Sequence, residues 1–142
     1  MASVFDVATY ILEKKAPMTV MKLQKLVYYS QAWSLVWDEK PLFEQEIQAW
    51  RHGPVVAELY QAHKGQYQLD QLPNGNSHNL TDGEKDTIDS VLDTYGDKSS
   101  QWLSDLTHME SPWIDARKGF PSDSPSQNEI TQGSMMEYYS SL

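Results

Sequence analysis

The chain of 142 residues sets eleven Lys and Arg against twenty Asp and Glu, for a formal net charge of −9, and it holds no cysteine. Disulfides, cysteine-ligated metal and a thiol nucleophile are excluded. The charge argues against nucleic-acid binding by this chain alone, because that binding rests on cationic side chains neutralising phosphate.

The length suits one domain, 1–142, with one core, and aromatic residues at 11% add large buried area to it. The first stretch lacks the basic head and long apolar run of a signal peptide, and no stretch is apolar enough to span a bilayer. A cytoplasmic location with no membrane partner is therefore expected.

Ser3, with Asp6 three residues on, is a helix-capping signal. Val4, Val7, Ala8, Ile11 and Leu12 then form a helical face, and Pro17 stops that helix by Lys15 or Ala16. Thr19 is the N-cap of the second helix, the one around which the chain is organised. Leu23, Leu26, Val27, Trp33 and Trp37 fall on a helical repeat, while Tyr28, Tyr29, Ala32, Leu35 and Val36 spread apolar surface round its other sides. A helix apolar nearly all round is a buried central helix. Lys22, Gln24, Lys25 and Gln31 interrupt it, and Pro41 stops the chain beyond it.

Ile47 and Ala49 alternate with Gln48 and Trp50, the period of a minor strand. Gly53-Pro54 punctuates the chain, and a third helix is expected from Pro54 to His63, burying Val55, Val56, Leu59 and Tyr60 and stopped by Gly65. Residues 66–80 read as a surface loop with a turn at Asn74 and Gly75, open to proteolysis and to length variation. Thr81 and Glu84 form a capping box for a helix carrying Ile88, Val91, Leu92 and Tyr95, closed by Gly96. Ser99 caps another, with Trp102, Leu103 and Leu106 on one face. Ser111-Pro112 opens a short helical turn holding Trp113 and Ala116. Residues 120–129 read as irregular, Glu129-Ile130 as extended, and Thr131 as the cap of a last helix with Met135, Met136 and Tyr139 inward.

The fold class that follows is mainly α. We expect a compact single domain of about six helices around a buried central helix, 19–37, with one or two short extended segments around 46–51 and 128–131.

Acidic residues concentrate in 81–110, where Asp82, Glu84, Asp86, Asp89, Asp93, Asp97, Asp105 and Glu110 face only Lys85 and Lys98. A solvated helix face is the favoured reading, a docking surface the other. The histidines, His52, His63, His78 and His108, fit no metal-ligand array, and no nucleophile elbow, phosphate-binding loop or dinucleotide fingerprint occurs. No catalytic residue, metal or cofactor is predicted.

Three motifs in series are more specific. They are Lys22-Leu23-Gln24-Lys25-Leu26-Val27-Tyr28-Tyr29 with Gln31-Ala32-Trp33 and Pro41-Leu42-Phe43; Ile47-Gln48-Ala49-Trp50-Arg51-His52-Gly53-Pro54-Val55-Val56 with Tyr60; and Thr107-His108-Met109-Glu110-Ser111-Pro112-Trp113 with Ala116-Arg117. Together they resemble the Panacea domain, also called the SocA-like antitoxin domain or phage-associated GepA-like protein, over roughly 5–120. The resemblance implies a mainly helical antitoxin, encoded beside a toxin, often on prophages, that binds its cognate toxin directly. One branch of the family instead delivers its toxin to a Clp protease.

Leu23, Leu26, Trp33, Val55 and Tyr60 are assigned to the core. Trp50, Arg51, His52, His108, Glu110, Trp113 and Arg117 are harder to explain by packing alone. Aromatic and Arg side chains are the usual interface anchors, but the same group could form an internal polar network joining the extended segment to the penultimate helix. Two other functions stay open. One is a protease adaptor using the acidic face or the C-terminal tail as its second surface. The other is a small hydrolase, with or without metal, built on His52, His108 and Glu110.

Overall fold

A computed structural model of the protein describes residues 1–121 and 123–142, so of the expected irregular segment 120–129, residue 122 lies outside the described residues. Ser3 and Asp6 form the capping box that opens α1 (Val4–Lys15). After β1 (Met18–Thr19), the Thr19 hydroxyl accepts from the Lys22 N–H at 3.1 Å and opens α2 (Val20–Trp37). Then follow β2 (Ile47–Trp50), β3 (Gly53–Val56), α3 (Ala57–His63) and β4 (Gln68–Leu69). A 3₁₀ turn at Ser77–Asn79 precedes α4 (Asp82–Tyr95), α5 (Ser100–Thr107) and α6 (Ser111–Ala116), and β5 (Glu129–Ile130) and α7 (Gln132–Ser140) close the chain. The fold is mainly helical, with seven α-helices among the described residues rather than six, because 111–116 completes a helix. None of them is long and apolar enough to cross a membrane.

Packing follows from α2. Leu23, Leu26, Val27, Tyr29 and Ala32 are fully buried, and α1, α4, α5, α7 and β3 all pack on this helix. Trp37 is an exception to the expected apolar face: it is half exposed at the helix end and stacks on Trp33 with ring centroids 5.1 Å apart.

The polar residues that interrupt α2 lie inside as well. Gln24, Lys25 and Gln31 are each buried. A buried polar group needs a partner, and theirs are main-chain groups of neighbouring non-helical segments. Gln31 accepts from the Leu42 N–H at 2.7 Å and donates to the Phe43 carbonyl at 2.9 Å, which holds those two core residues in place. Gln24 accepts from the Val56 N–H at 2.9 Å and donates to the Val56 carbonyl at 3.4 Å. Lys25 Nζ donates to the Pro54 carbonyl at 3.2 Å.

These bonds correct the expectation for 54–56. The segment does not start the third helix; it is β3, antiparallel to β2 with Ile47 opposite Val56 and Trp50 opposite Gly53, and the helix begins only at Ala57. The sheet order is β3-β2-β5, with β5 antiparallel to β2. β1 and β4 make a separate two-stranded pair.

Residues 66–80 are also more fixed than a free surface loop. The Asp6 carboxylate that closes the α1 capping box accepts from the Asn76 N–H at 2.8 Å and from Asn79 Nδ2 at 3.3 Å. Gly75 has φ +99°, and a Cβ there would come within 2.3 Å of the Phe5 carbonyl oxygen.

Burial raises the Asp6 pKa, but the bonds from Ser3, Asn76 and Asn79 outweigh it and hold the carboxyl below its usual value. That contribution is present above the ordinary carboxylate pKa and is lost as pH falls through the folded value. Asp6→Ala should cost about 1–3 kcal/mol in urea unfolding at neutral pH and speed proteolysis within 70–80.

Lys25 behaves in the opposite sense. Burial lowers its pKa to about 7. Above that value the unfolded chain binds the additional proton, so stability rises with pH from about 7 towards the ordinary lysine range. Lys25→Met should lack that slope; identical urea midpoints for both proteins from neutral to mildly alkaline pH would contradict it. Gly53→Ala should destabilise by more than about 2 kcal/mol, since Gly53 has φ +121° and a Cβ there would meet Lys25 Cε at 2.4 Å.

Candidate functional site

The tip of the β2–β3 hairpin gathers most of the candidate residues. Its main-chain carbonyls point inward, and each of five accepts a side-chain donor. Ala49 O accepts from Arg117 Nη1 at 2.9 Å and Trp50 O from Trp113 Nε1 at 2.8 Å. His108 Nε2 lies 2.8 Å from Arg51 O, and the Ser104 hydroxyl donates to His52 O at 2.8 Å. Pro54 O accepts from Lys25 Nζ. The donors come from α2, from α5 and its C-cap His108, from α6, and from Arg117 just past α6.

Side-chain geometry explains the residue types. Indole and imidazole N–H groups are rigid donors on apolar bodies, so they satisfy a carbonyl while filling the interior. The His108 and Trp113 rings sit 4.1 Å apart, and the Arg117 guanidinium lies over Trp113 at 4.9 Å. His108 Nδ1 lies 2.6 Å from Ser104 O. A neutral ring can donate to one of its two facing carbonyls, an imidazolium to both. Arg117 also reaches the Pro121 carbonyl at 2.9 Å and the Ser124 carbonyl, tying the segment after α6 to the hairpin. Burial lowers its pKa while Asp123 opposes that shift.

Arg51 and His52 are exposed on the outer side of the same turn, and Trp50 is half-buried. The Trp50 indole donates to Gln48 Oε1 at 2.8 Å and packs edge-on against Tyr60, centroids 4.9 Å apart. Trp50, Arg51, His52 and Val55 face Pro125, Ser126 and Gln127 across a groove of about 340 Å³. Burial lowers the His52 pKa, and so do the charges of Arg51, Lys25 and His108.

Glu110 stands apart from this group. Its Oε1 accepts from the Tyr29 and Tyr139 hydroxyls, each at 2.7 Å, and the Tyr139 and Tyr28 hydroxyls are 3.0 Å apart. Burial pushes the Glu110 carboxyl above its usual range, against the pull of the two tyrosine bonds. The same burial, with the carboxylate nearby, raises Tyr29 and Tyr139. This buried knot joins α2, α7 and the start of α6. His108 and Glu110, two residues apart, therefore turn to different partners, and His52 turns outward. Among the described residues no three His, Cys, Asp or Glu side chains group as a metal site requires.

Sequence reading missed Lys25, Gln24, Ser104 and the two tyrosines as parts of these networks. The available signal was a polar residue in a helix apolar on every side: such a residue is buried, and its partner is a main-chain group elsewhere.

The family model described as antitoxin SocA-like, Panacea domain, matches residues 23–114, which include α2 from Leu23 on, the hairpin, Ser104, His108, Glu110 and Trp113. No curated protein and no solved structure matches the chain. With the match covering well over half of its residues, the chain belongs to the SocA-like antitoxin family of Panacea domains.

Proposed function

We propose that this chain is the antitoxin of a toxin–antitoxin pair and that it neutralises a cognate toxin, encoded by an adjacent gene, through direct protein–protein contact. Membership of the SocA-like antitoxin family carries the reading. The geometry supports a binding module over a hydrolase. The His108 ring nitrogens lie 2.6 Å from the Ser104 carbonyl and 2.8 Å from the Arg51 carbonyl, and Glu110 accepts from two tyrosine hydroxyls. A general acid or base needs its titrating atom within reach of a substrate; Glu110 is buried, and the His108 nitrogens face the protein's own carbonyls.

The acidic stretch supports blocking over delivery to a Clp protease. Glu84 serves its capping box, Asp89 accepts from the Tyr10 hydroxyl at 2.8 Å and Glu110 is buried, so three of those carboxylates have internal duties. The C-terminal helix is likewise committed, with Met135 and Tyr139 in the core.

Co-expression with each adjacent open reading frame tests the proposal. One neighbour should arrest growth alone, be rescued by this chain and co-purify with it, with the toxin's half-life in cells unchanged. Rescue accompanied by a shortened half-life would point to an adaptor instead. Absence of both rescue and complex for every neighbour would remove the antitoxin reading.

A further inference from the structure

The hairpin tip is fixed from within and open from without. Inside, five side-chain donors hold its carbonyls, and one of them is a buried lysine whose charge is expensive to desolvate. Gly53 is required there, because any Cβ would strike Lys25. So many buried donors around a two-residue turn keep Arg51 and His52 in one arrangement. Binding surfaces gain from such preorganisation, since less freedom is lost on association.

Outside, the sheet shows a second face. Ile47 and Ala49 point into the core, so Gln48 and Trp50 lie on the other face, with Val55 opposite Gln48. Trp50 and Val55 give the groove its apolar lining, and Arg51 and His52 sit beside them. Among the described residues no Asp or Glu lines it, on a chain whose net charge is −9. Arg51 supplies the groove's positive charge, while burial first, and then that charge, hold the His52 pKa below its ordinary value. Arg51 meets its neighbour Asp123 at the main-chain carbonyl, 3.4 Å away. The groove is therefore a cationic, aromatic spot on an acidic molecule. Such a spot selects and orients an acidic partner surface, which the rest of the molecule repels.

We infer that this groove is where the toxin docks, and that it takes an acidic segment of the toxin, one carboxylate meeting Arg51 while an adjoining apolar side chain lies on Trp50 and Val55. The inference rests on the antitoxin reading. In it, Arg51, His52 and Trp50 touch the partner, whereas Lys25, Ser104, His108, Trp113 and Arg117 are positioning residues.

The test uses the full chain and the purified product of the neighbouring gene that it rescues. Arg51→Glu and His52→Asp change exposed side chains, and Lys14→Glu makes the same kind of charge change at an exposed position of α1. Arg51→Glu should weaken the complex at least about thirtyfold and abolish rescue, while Lys14→Glu stays within about twofold of the parent. Parent affinity should fall with added salt, and the Arg51→Glu complex should lose most of that dependence. Thermal melts check folding; should Arg51→Glu melt early, Arg51→Ala and His52→Asp carry the same comparison.

Rescue by the parent, with Arg51 and His52 variants that are folded and bind as tightly, would overturn the groove and leave the antitoxin reading standing. Equal losses from Arg51→Glu and Lys14→Glu would overturn it too, as a diffuse charge effect. Failure of the parent with every neighbour would remove the antitoxin reading, and the inference with it.

Discussion

The whole arrangement depends on α2 being enclosed on every side. A helix satisfies its own backbone, so its buried side chains are free to satisfy others. Gln24, Lys25 and Gln31 do this for segments that have no helix of their own: Gln31 for 42–43, Gln24 for Val56, Lys25 for Pro54. Without such partners, those buried N–H and C=O groups would each carry a desolvation penalty of about 1–3 kcal/mol. The extended part of the fold is thus pinned to the central helix by hydrogen bonds as well as by apolar contact.

The hairpin repeats the same principle from the other side. Five of its carbonyls take side-chain partners, and α5, its C-cap His108, α6 and Arg117 supply four of these. His108, Trp113 and Arg117 hold main-chain carbonyls of the tip, where Arg51 and His52 are exposed. Glu110 belongs to a different problem. It ties α7 to α2 through Tyr139 and Tyr29, so the C-terminal helix is joined to the core by a buried carboxyl as well as by packing.

Local chemistry was legible in the sequence; long-range hydrogen bonding was not. Ser3, Thr19, Thr81, Ser99 and Thr131 all act as N-caps, because a cap needs only its own next three residues. β3 was hidden because Gly53-Pro54 followed by Val55 and Val56 suits a helix start equally well. Its strand state is set by pairing with β2 and by Gln24, which lies 32 residues earlier. β1 and β4, two residues each, are too short to show a period of two. The polar composition of 66–80 announced exposure but carried no sign that Asp6 would hold it. At the candidate site the residue types were readable as a group, and its division was not. Which of seven polar and aromatic residues faces inward depends on where α5 and α6 lie against the hairpin, a tertiary fact.

The groove has two walls of different character. The hairpin wall falls within the matched family region, 23–114, and is built on buried clamps. The opposite wall, 125–127, falls outside it and is mostly exposed. It is held through the Ser126 hydroxyl on the Asn128 N–H, the Asn128 amide on the Ala116 carbonyl, the Ala49 N–H on the Asn128 carbonyl, and Arg117 just upstream. Substitutions at Pro125 or Gln127 would reshape the groove without touching α2 or the clamped turn. A fold built this way separates the part that must stay rigid from the part that can be varied, so one core can present differently shaped grooves beside the same fixed arginine.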